Sequence, residues 1–340
     1  MSAKGRILEI DTSPHIAAGA SVEQIMRNVV YALLPACAFA VYVFGLAALI
    51  TLTAATVSCL LTEYFLCRWS GRASTLGDWS IAVTGVLYGL TLPPGLPIWM
   101  VILGGVAGVG VGKFLFGGLG YNAFNPALVG RAFLQAAFPV SMTTWYPALG
   151  SERFTIVPAS TFTFPFTSPT YDAVSGATPL AAMKFDGDVT AAADLVMGIT
   201  SGSTGETSAV LLLAGGLYLI ARKMMNWRIP AAILVTVYLL SAAMHLVSPA
   251  AYPDPVFMLF AGGLMLGALF MATDMVASPM TSLGCVLYGV LIGTLVVVIR
   301  LWGGMPEGVM YAILFANAVS PHIDYLVRPR VYGTSKQEAS

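Results

Sequence analysis

The sequence predicts an all-α polytopic membrane protein of ten transmembrane helices, arranged as two inverted five-helix repeats. Three observations predict it. Charged residues make up only 9% of the 340-residue chain and hydrophobic ones 57%, whereas soluble domains run near a quarter charged. The apolar residues fall in blocks of about twenty, long enough to cross a ~30 Å hydrocarbon core as helices. Blocks this long are not barrel strands, and lipid leaves a backbone no third option. Finally, interruptions recur at matching places in the two halves. The third span of each runs into a break, Thr91-Leu92-Pro93-Pro94-Gly95 and Met271-Ala272-Thr273-Asp274. The fifth span of each contains a polar-residue–proline step, Asn125-Pro126 and Ser320-Pro321. Five spans per half force the halves into opposite orientations, the plan of transporters whose broken helices meet near the midplane.

The spans are expected in order at 25–45, 46–67, 79–92, 98–116 and 124–138, then at 207–220, 229–247, 256–271, 282–301 and 309–320. This divides the chain into an N-terminal segment (1–24), a first repeat (25–138), a polar loop (139–206), a second repeat (207–320) and a C-terminal segment (321–340). The start is polar and lacks the apolar core of a signal peptide, so it is expected to be retained. With the N-terminus in the cytoplasm, thirteen of the 16 basic residues, Lys113 and Arg131 among them, fall at the inner face. Only Arg153, Lys184 and Arg300 fall outside, and both termini come out cytoplasmic. The loop at 139–206 is then extracytoplasmic.

Several function classes are excluded. Net charge is zero, so no nucleic-acid partner is implied. Lipid is the expected surroundings. The glycine-rich run at 104–112 ends at Lys113, but Ala107 and Phe114 break the phosphate-loop pattern, and no strand precedes it. Small residues for close helix packing account for it better. The three histidines are scattered and the four cysteines form no Cys-x-x-Cys pair, so no metal site is expected.

Ionisable groups at membrane depth are expensive and point to function. Asp274 lies in the broken eighth span beside Thr273. A carboxylate, a hydroxyl and freed carbonyls are ligands a small cation favours, but Asp274 could equally cap a half-helix. Asn122 and Asn125 open the fifth span, as caps or as cavity lining. Glu63 and Arg68 lie near a span end, where snorkelling is the simpler account. Arg131 faces either a phosphate or ribityl group or the lipid headgroups.

The polar loop contains Asp172-Ala-Val-Ser175-Gly176-Ala177-Thr178-Pro179-Leu180. A threonine that is to carry a phosphoester needs an exposed hydroxyl, small neighbours and a backbone that bends. Gly176 and Ala177 supply the small neighbours and Pro179 breaks structure after Thr178. Ser175 and Asp172 can bond backbone amides or help position an incoming pyrophosphate. Ser201-Gly202-Ser203-Thr204 is a decoy without the upstream aspartate.

The stretch DAVSGATPL resembles the flavinylation motif of the RnfD and NqrB subunits of ion-translocating electron-transport complexes. TGVLYGLTLPP (84–94), FGGLGYNAFNPALVG (116–130), FMATDMVASP (270–279) and IDYLVRPRVYG (323–333) resemble RnfD segments in the same order. The short start favours RnfD over NqrB. The resemblance implies FMN joined through its phosphate to Thr178, attached from FAD by a separate flavin transferase outside the cytoplasm. It implies a urea-transporter-like fold in the bacterial inner membrane, and as partners the A, B, C, E and G components of an Rnf complex. It implies electron transfer between ferredoxin and NAD coupled to Na⁺ or H⁺ movement, and a non-covalent riboflavin that it assigns to no residue here. A Na⁺-pumping NADH:quinone reductase component of the NqrB type, a flavin-free small-solute facilitator and an assembly scaffold are the competing expectations.

Overall fold

The computed structural model describes residues 21–72, 75–165, 167, 176–206, 208–249 and 251–328. These form helices and connecting segments, with no β-strand among them.

The first half opens with α1 (Val22–Phe44), whose cap Ser21 accepts a hydrogen bond from Gln24 N. α2 (Leu46–Ser70) follows after the single residue Gly45. Its φ is +68°, and a Cβ there would collide with Arg153 O. Only glycine makes this reversal, with loop backbone packed against it. α3 (Ser80–Leu90) is short and stops ahead of Pro93-Pro94. α4 (Ile98–Val109) continues through a π turn, Gly110–Phe114. α5 (Pro126–Ala137) is capped by Asn125 Oδ1, which accepts from Ala127 N at 3.0 Å. α2 packs on α3 and α4, and α4 packs on α5.

Beyond α5 come three short helices, α6 (Pro139–Thr143), α7 (Pro179–Ala181) and α8 (Ala192–Met197). A π turn, Ala182–Asp186, extends α7.

The second half holds α9 (Ala209–Ala221), α10 (Arg228–Val247), α11 (Pro255–Phe260), α12 (Leu264–Leu266) with a π turn Gly267–Met271, α13 (Ser282–Trp302) and α14 (Val309–Leu326). α10 packs on α11 and α13, and α13 on α14. α1 meets α9 and α5 meets α14 across the halves. One apolar core runs through both. α1, α2, α10 and α13 are long and apolar enough to cross a membrane. The other helices are shorter or broken.

The glycine run is a packing face. An added Cβ at Gly105 would collide with Ser58 Oγ, and one at Gly108 would lie 2.7 Å from Pro126 O. Two boundaries differ from the sequence reading. The eighth span is interrupted at 261–263, before the Met271–Asp274 step, because Gly262 takes φ +68°. And α14 does not stop at Ser320 but runs through Pro321 to Leu326.

Candidate functional site

Thr178 takes an extended conformation and caps α7, its Oγ1 accepting from Ala181 N at 3.2 Å. Gly176 N donates to Trp145 O at 3.0 Å. A Cβ on Gly176 would collide with Ser201 Oγ, so a side chain here would push the segment away. Leu180 is buried against the interruption in the second half, with its Cδ1 2.6 Å from where a Gly262 Cβ would stand. Lys184 Nζ donates to Arg300 O at 2.9 Å and Met305 O at 3.0 Å, and to Gly303 O. It thereby fastens the turn to the carbonyl end of α13, where a cation is favoured. Its partial burial pulls the ammonium pKa below the usual lysine range.

The sequence reading asked for an exposed hydroxyl. Thr178 is instead only 7% exposed. Leu180 and Lys184 draw the segment inward, and Thr178 lines a cavity of about 620 Å³. Gly176 and Ala177 line it too, with Trp145, Phe185, Met310 and Tyr311 as apolar and aromatic walls. That volume sits within the ~300–1,000 Å³ of small-molecule and cofactor sites. Asp172 and Ser175 lie outside the described residues.

Arg131, Glu206 and Glu307 bring charge to this cavity. Arg131, in α5, is nine-tenths buried, and its Nε has no hydrogen-bond partner among the described residues. The sequence reading left it facing either a phosphate or ribityl group or the lipid headgroups. It belongs to the Thr178 cavity, because the α5 face that packs inward carries it there. Glu307 Oε2 accepts from Gly263 N at 3.1 Å and Oε1 from Val309 N at 3.2 Å, with Arg300 Nη2 at 3.4 Å. Arg300, fully buried, also donates to Met258 O at 2.6 Å and Ala261 O at 2.8 Å. Cation on the last carbonyls of α11, carboxylate on the amide leading into α12: this pair satisfies the backbone groups the interruption frees. In the first half, Thr204 N and Gly205 N donate to Leu92 O and Leu90 O, and Thr204 Oγ1 to Gly89 O. The Ser-Gly-Ser-Thr decoy is therefore the cap of α3. Glu206 follows it directly. Burial and the neighbouring Glu307 push the Glu206 carboxyl up, against the pull of Arg131.

A second cavity, of about 90 Å³, gathers Asn125, Thr273 and Asp274 with Ser80, Lys113 and Asn122. Asn125 Nδ2 donates to Met271 O at 3.2 Å, and Asn122 Nδ2 to Asp274 Oδ2 at 3.4 Å. Asp274 Oδ1 accepts from Val276 N, and Thr273 Oγ1 donates to Leu269 O. Asp274 thus caps a turn while facing a cavity between the halves. Beside it, Glu63 is no snorkelling residue. It is 3% exposed and ion-paired with Lys113 at 2.8 Å, while Lys113 also donates to Ser80 Oγ. The π turn Gly110–Phe114 holds Lys113, a residue that sequence reasoning treated as an inner-face charge and as the end of a failed phosphate loop.

Apolar helices packed on one core, four of them long enough to cross a membrane, define a polytopic membrane protein, and a ligand-sized cavity opens beside Thr178. The model of the NQR2, RnfD, RnfE family matches residues 9–333, and the chain belongs to that family. It is 40% identical to the D subunit of the proton-translocating ferredoxin:NAD(+) oxidoreductase complex of Clostridium ljungdahlii, over 98% of each chain. It is 41% identical to the D subunit of the Na(+)-translocating ferredoxin:NAD(+) oxidoreductase complex of Acetobacterium woodii, over 97% of this chain and 96% of that one. It is 39% identical to the D subunit of the ion-translocating oxidoreductase complex of Alcanivorax borkumensis, over 95% of this chain and 96% of the other.

Proposed function

We propose that the chain is the membrane-embedded D subunit of an ion-translocating ferredoxin:NAD⁺ oxidoreductase complex, with FMN esterified through its phosphate to Thr178. Family membership and the names of near full-length relatives support the complex. The observation that carries the flavin is Thr178 itself, on a cavity with aromatic walls and a buried guanidinium whose Nε has no hydrogen-bond partner among the described residues. These residues fit the group. Trp145, Phe185 and Tyr311 suit a flat ring, and Arg131 suits an anion.

When bound, the flavin supplies one- and two-electron redox chemistry that no side chain here offers. The protein's own residues hold and shield it. Gly176 and Ala177 leave room beside the hydroxyl. Leu180 and Lys184 fix the segment.

The proposal includes ten spans in two inverted repeats in the bacterial inner membrane, both termini cytoplasmic and the 139–206 loop outside. Its partners are the A, B, C, E and G components of the complex, with a flavin transferase in maturation. Asp274, Thr273 and Asn125, gathered on the second cavity, are the candidates for the ion path. The two relatives' names give different ions, so the cargo is Na⁺ or H⁺. The test is Thr178→Val. The complex should assemble, while covalent flavin fluorescence on this protein and ion pumping vanish. Pumping that persists without that flavin would overturn the reading.

A further inference from the structure

We propose that Arg131 and Glu206 form a charge-compensating pair beneath the Thr178 cavity, Arg131 as a fixed cation and Glu206 as the site that takes up a proton when negative charge enters. The proposal rests on the reading that Thr178 carries the flavin. An electron added inside a largely apolar cavity raises a charge that must be balanced nearby.

The charged and titratable groups around the cavity divide the work. Arg131, from α5, brings a guanidinium with donors only. Its buried Nε is unpartnered among the described residues, so it is available to an anion. Glu307, between α13 and α14, is committed to two amides and to Arg300 behind it. Lys184 is committed to the carbonyls at the end of α13. Tyr311, from α14, completes the wall. That leaves Glu206. It makes no salt bridge among the described residues, and burial first and the neighbouring Glu307 second favour its neutral form. It is the carboxylate for which binding a proton costs least.

The step balances. One electron arrives from the redox partners of the complex and enters the ring. One proton from water adds to a Glu206 oxygen, forming an O–H bond and neutralising the carboxylate. Reoxidation releases both.

The location gives this proton a mechanical consequence. Glu206 follows directly on Ser203–Gly205, the segment that caps α3 through Leu90 O and Leu92 O. Its Oε1 stands 3.8 Å from where a Cβ on Gly263 would be, at the interruption between α11 and α12. Charge on this one carboxyl is therefore felt at the broken helix of each half.

The test is a spectroscopic redox titration of the purified complex, with the Thr178→Val complex as baseline, from about pH 5 to pH 9. In the wild type, the reduced-to-oxidised ratio of the Thr178 flavin at fixed potential should fall about tenfold per pH unit across part of this range, 59 mV for a one-electron couple. Glu206→Gln should keep the flavin and lose that dependence. Arg131→Gln should lower the ratio by about tenfold or more at every pH, and Arg131→Lys should restore most of it. A Glu206→Gln complex with the wild-type pH dependence, or an Arg131→Gln complex with unchanged potential, overturns the pair while leaving the flavin reading intact. A wild-type chain without flavin on Thr178 sinks both. One measurement needs no variant at all. The infrared difference spectrum of the wild type on reduction should gain a protonated-carboxyl band, and its absence refutes proton uptake at Glu206.

Discussion

Replacing Arg300 by methionine should be the most destabilising single change in the second half. The guanidinium is fully buried and donates to Met258 O, Ala261 O and Glu307 Oε1 at 2.6, 2.8 and 3.4 Å. Methionine fills most of the space but leaves two carbonyls and one carboxylate without their cation. Removing one partner of a buried pair costs about 3–5 kcal/mol. Glu307 keeps two amide donors, which points to the lower half of that range. At roughly 2 °C per kcal/mol for a long chain, the melting temperature in detergent should drop by about 6–8 °C. The double variant Arg300→Met/Glu307→Gln isolates the cause. A neutral amide keeps only one of the two acceptors that Gly263 N and Val309 N use, but it strands no charge, so the double should recover part of the loss. The assay is thermal unfolding of the purified protein followed by tryptophan fluorescence at one scan rate. An Arg300→Met protein melting within about 2 °C of wild type would refute the claim that this pair holds the interruption together. So would a double variant as unstable as the sum of the singles.

Other outcomes follow from the same physics. Lys113→Met leaves Glu63 buried and unpaired, and should cost about 3–5 kcal/mol, with Glu63→Gln partly restoring stability in the double variant. Melting temperatures of the two proteins check it. Glu206→Gln should stabilise the protein at neutral pH and not at low pH. The folded-state pKa of Glu206 lies above its unfolded value, so the fold binds the proton more tightly. The contribution from this carboxyl is fully present below the unfolded pKa and is lost as pH rises through the folded one. A melting difference between variant and wild type that grows from pH 4 to pH 8 is expected, and a flat one would contradict it. Lys184→Met should lower the fraction of chains carrying flavin without preventing membrane insertion, because it frees the turn after Thr178 from α13. Fluorescence per unit of protein on a denaturing gel measures it.

Much of this was readable in the residues, and the reasons differ from part to part. Asn125-Pro126 is a local signal, a capping side chain followed by proline at the first helical position, and the structure uses it that way. The glycine run is read by composition, since only small residues allow helices this close. Thr178 stood out because its neighbours constrain it locally, even though the inward turn of its hydroxyl did not. The charged network was hidden for the opposite reason. Arg300 meets carbonyls 42 and 39 positions away, and Lys113 meets Glu63 at a separation of 50. No periodicity encodes such pairings. Arg131 was left between a phosphate or ribityl group and the lipid headgroups, because charge counting sees a position along a span and not which way the helix face points. Glu206 looked like one more acid in a polar loop. Its importance comes from the neighbours folding brings, Glu307 above all.

The most direct measurement is the mass of the 172–180 peptide from natively matured protein, purified with its complex. The account predicts one FMN phosphoester on Thr178, seen as added mass on that side chain and as flavin fluorescence in the denatured band. A fragment weighing only what its amino acids weigh, from a complex that still pumps ions, would contradict it.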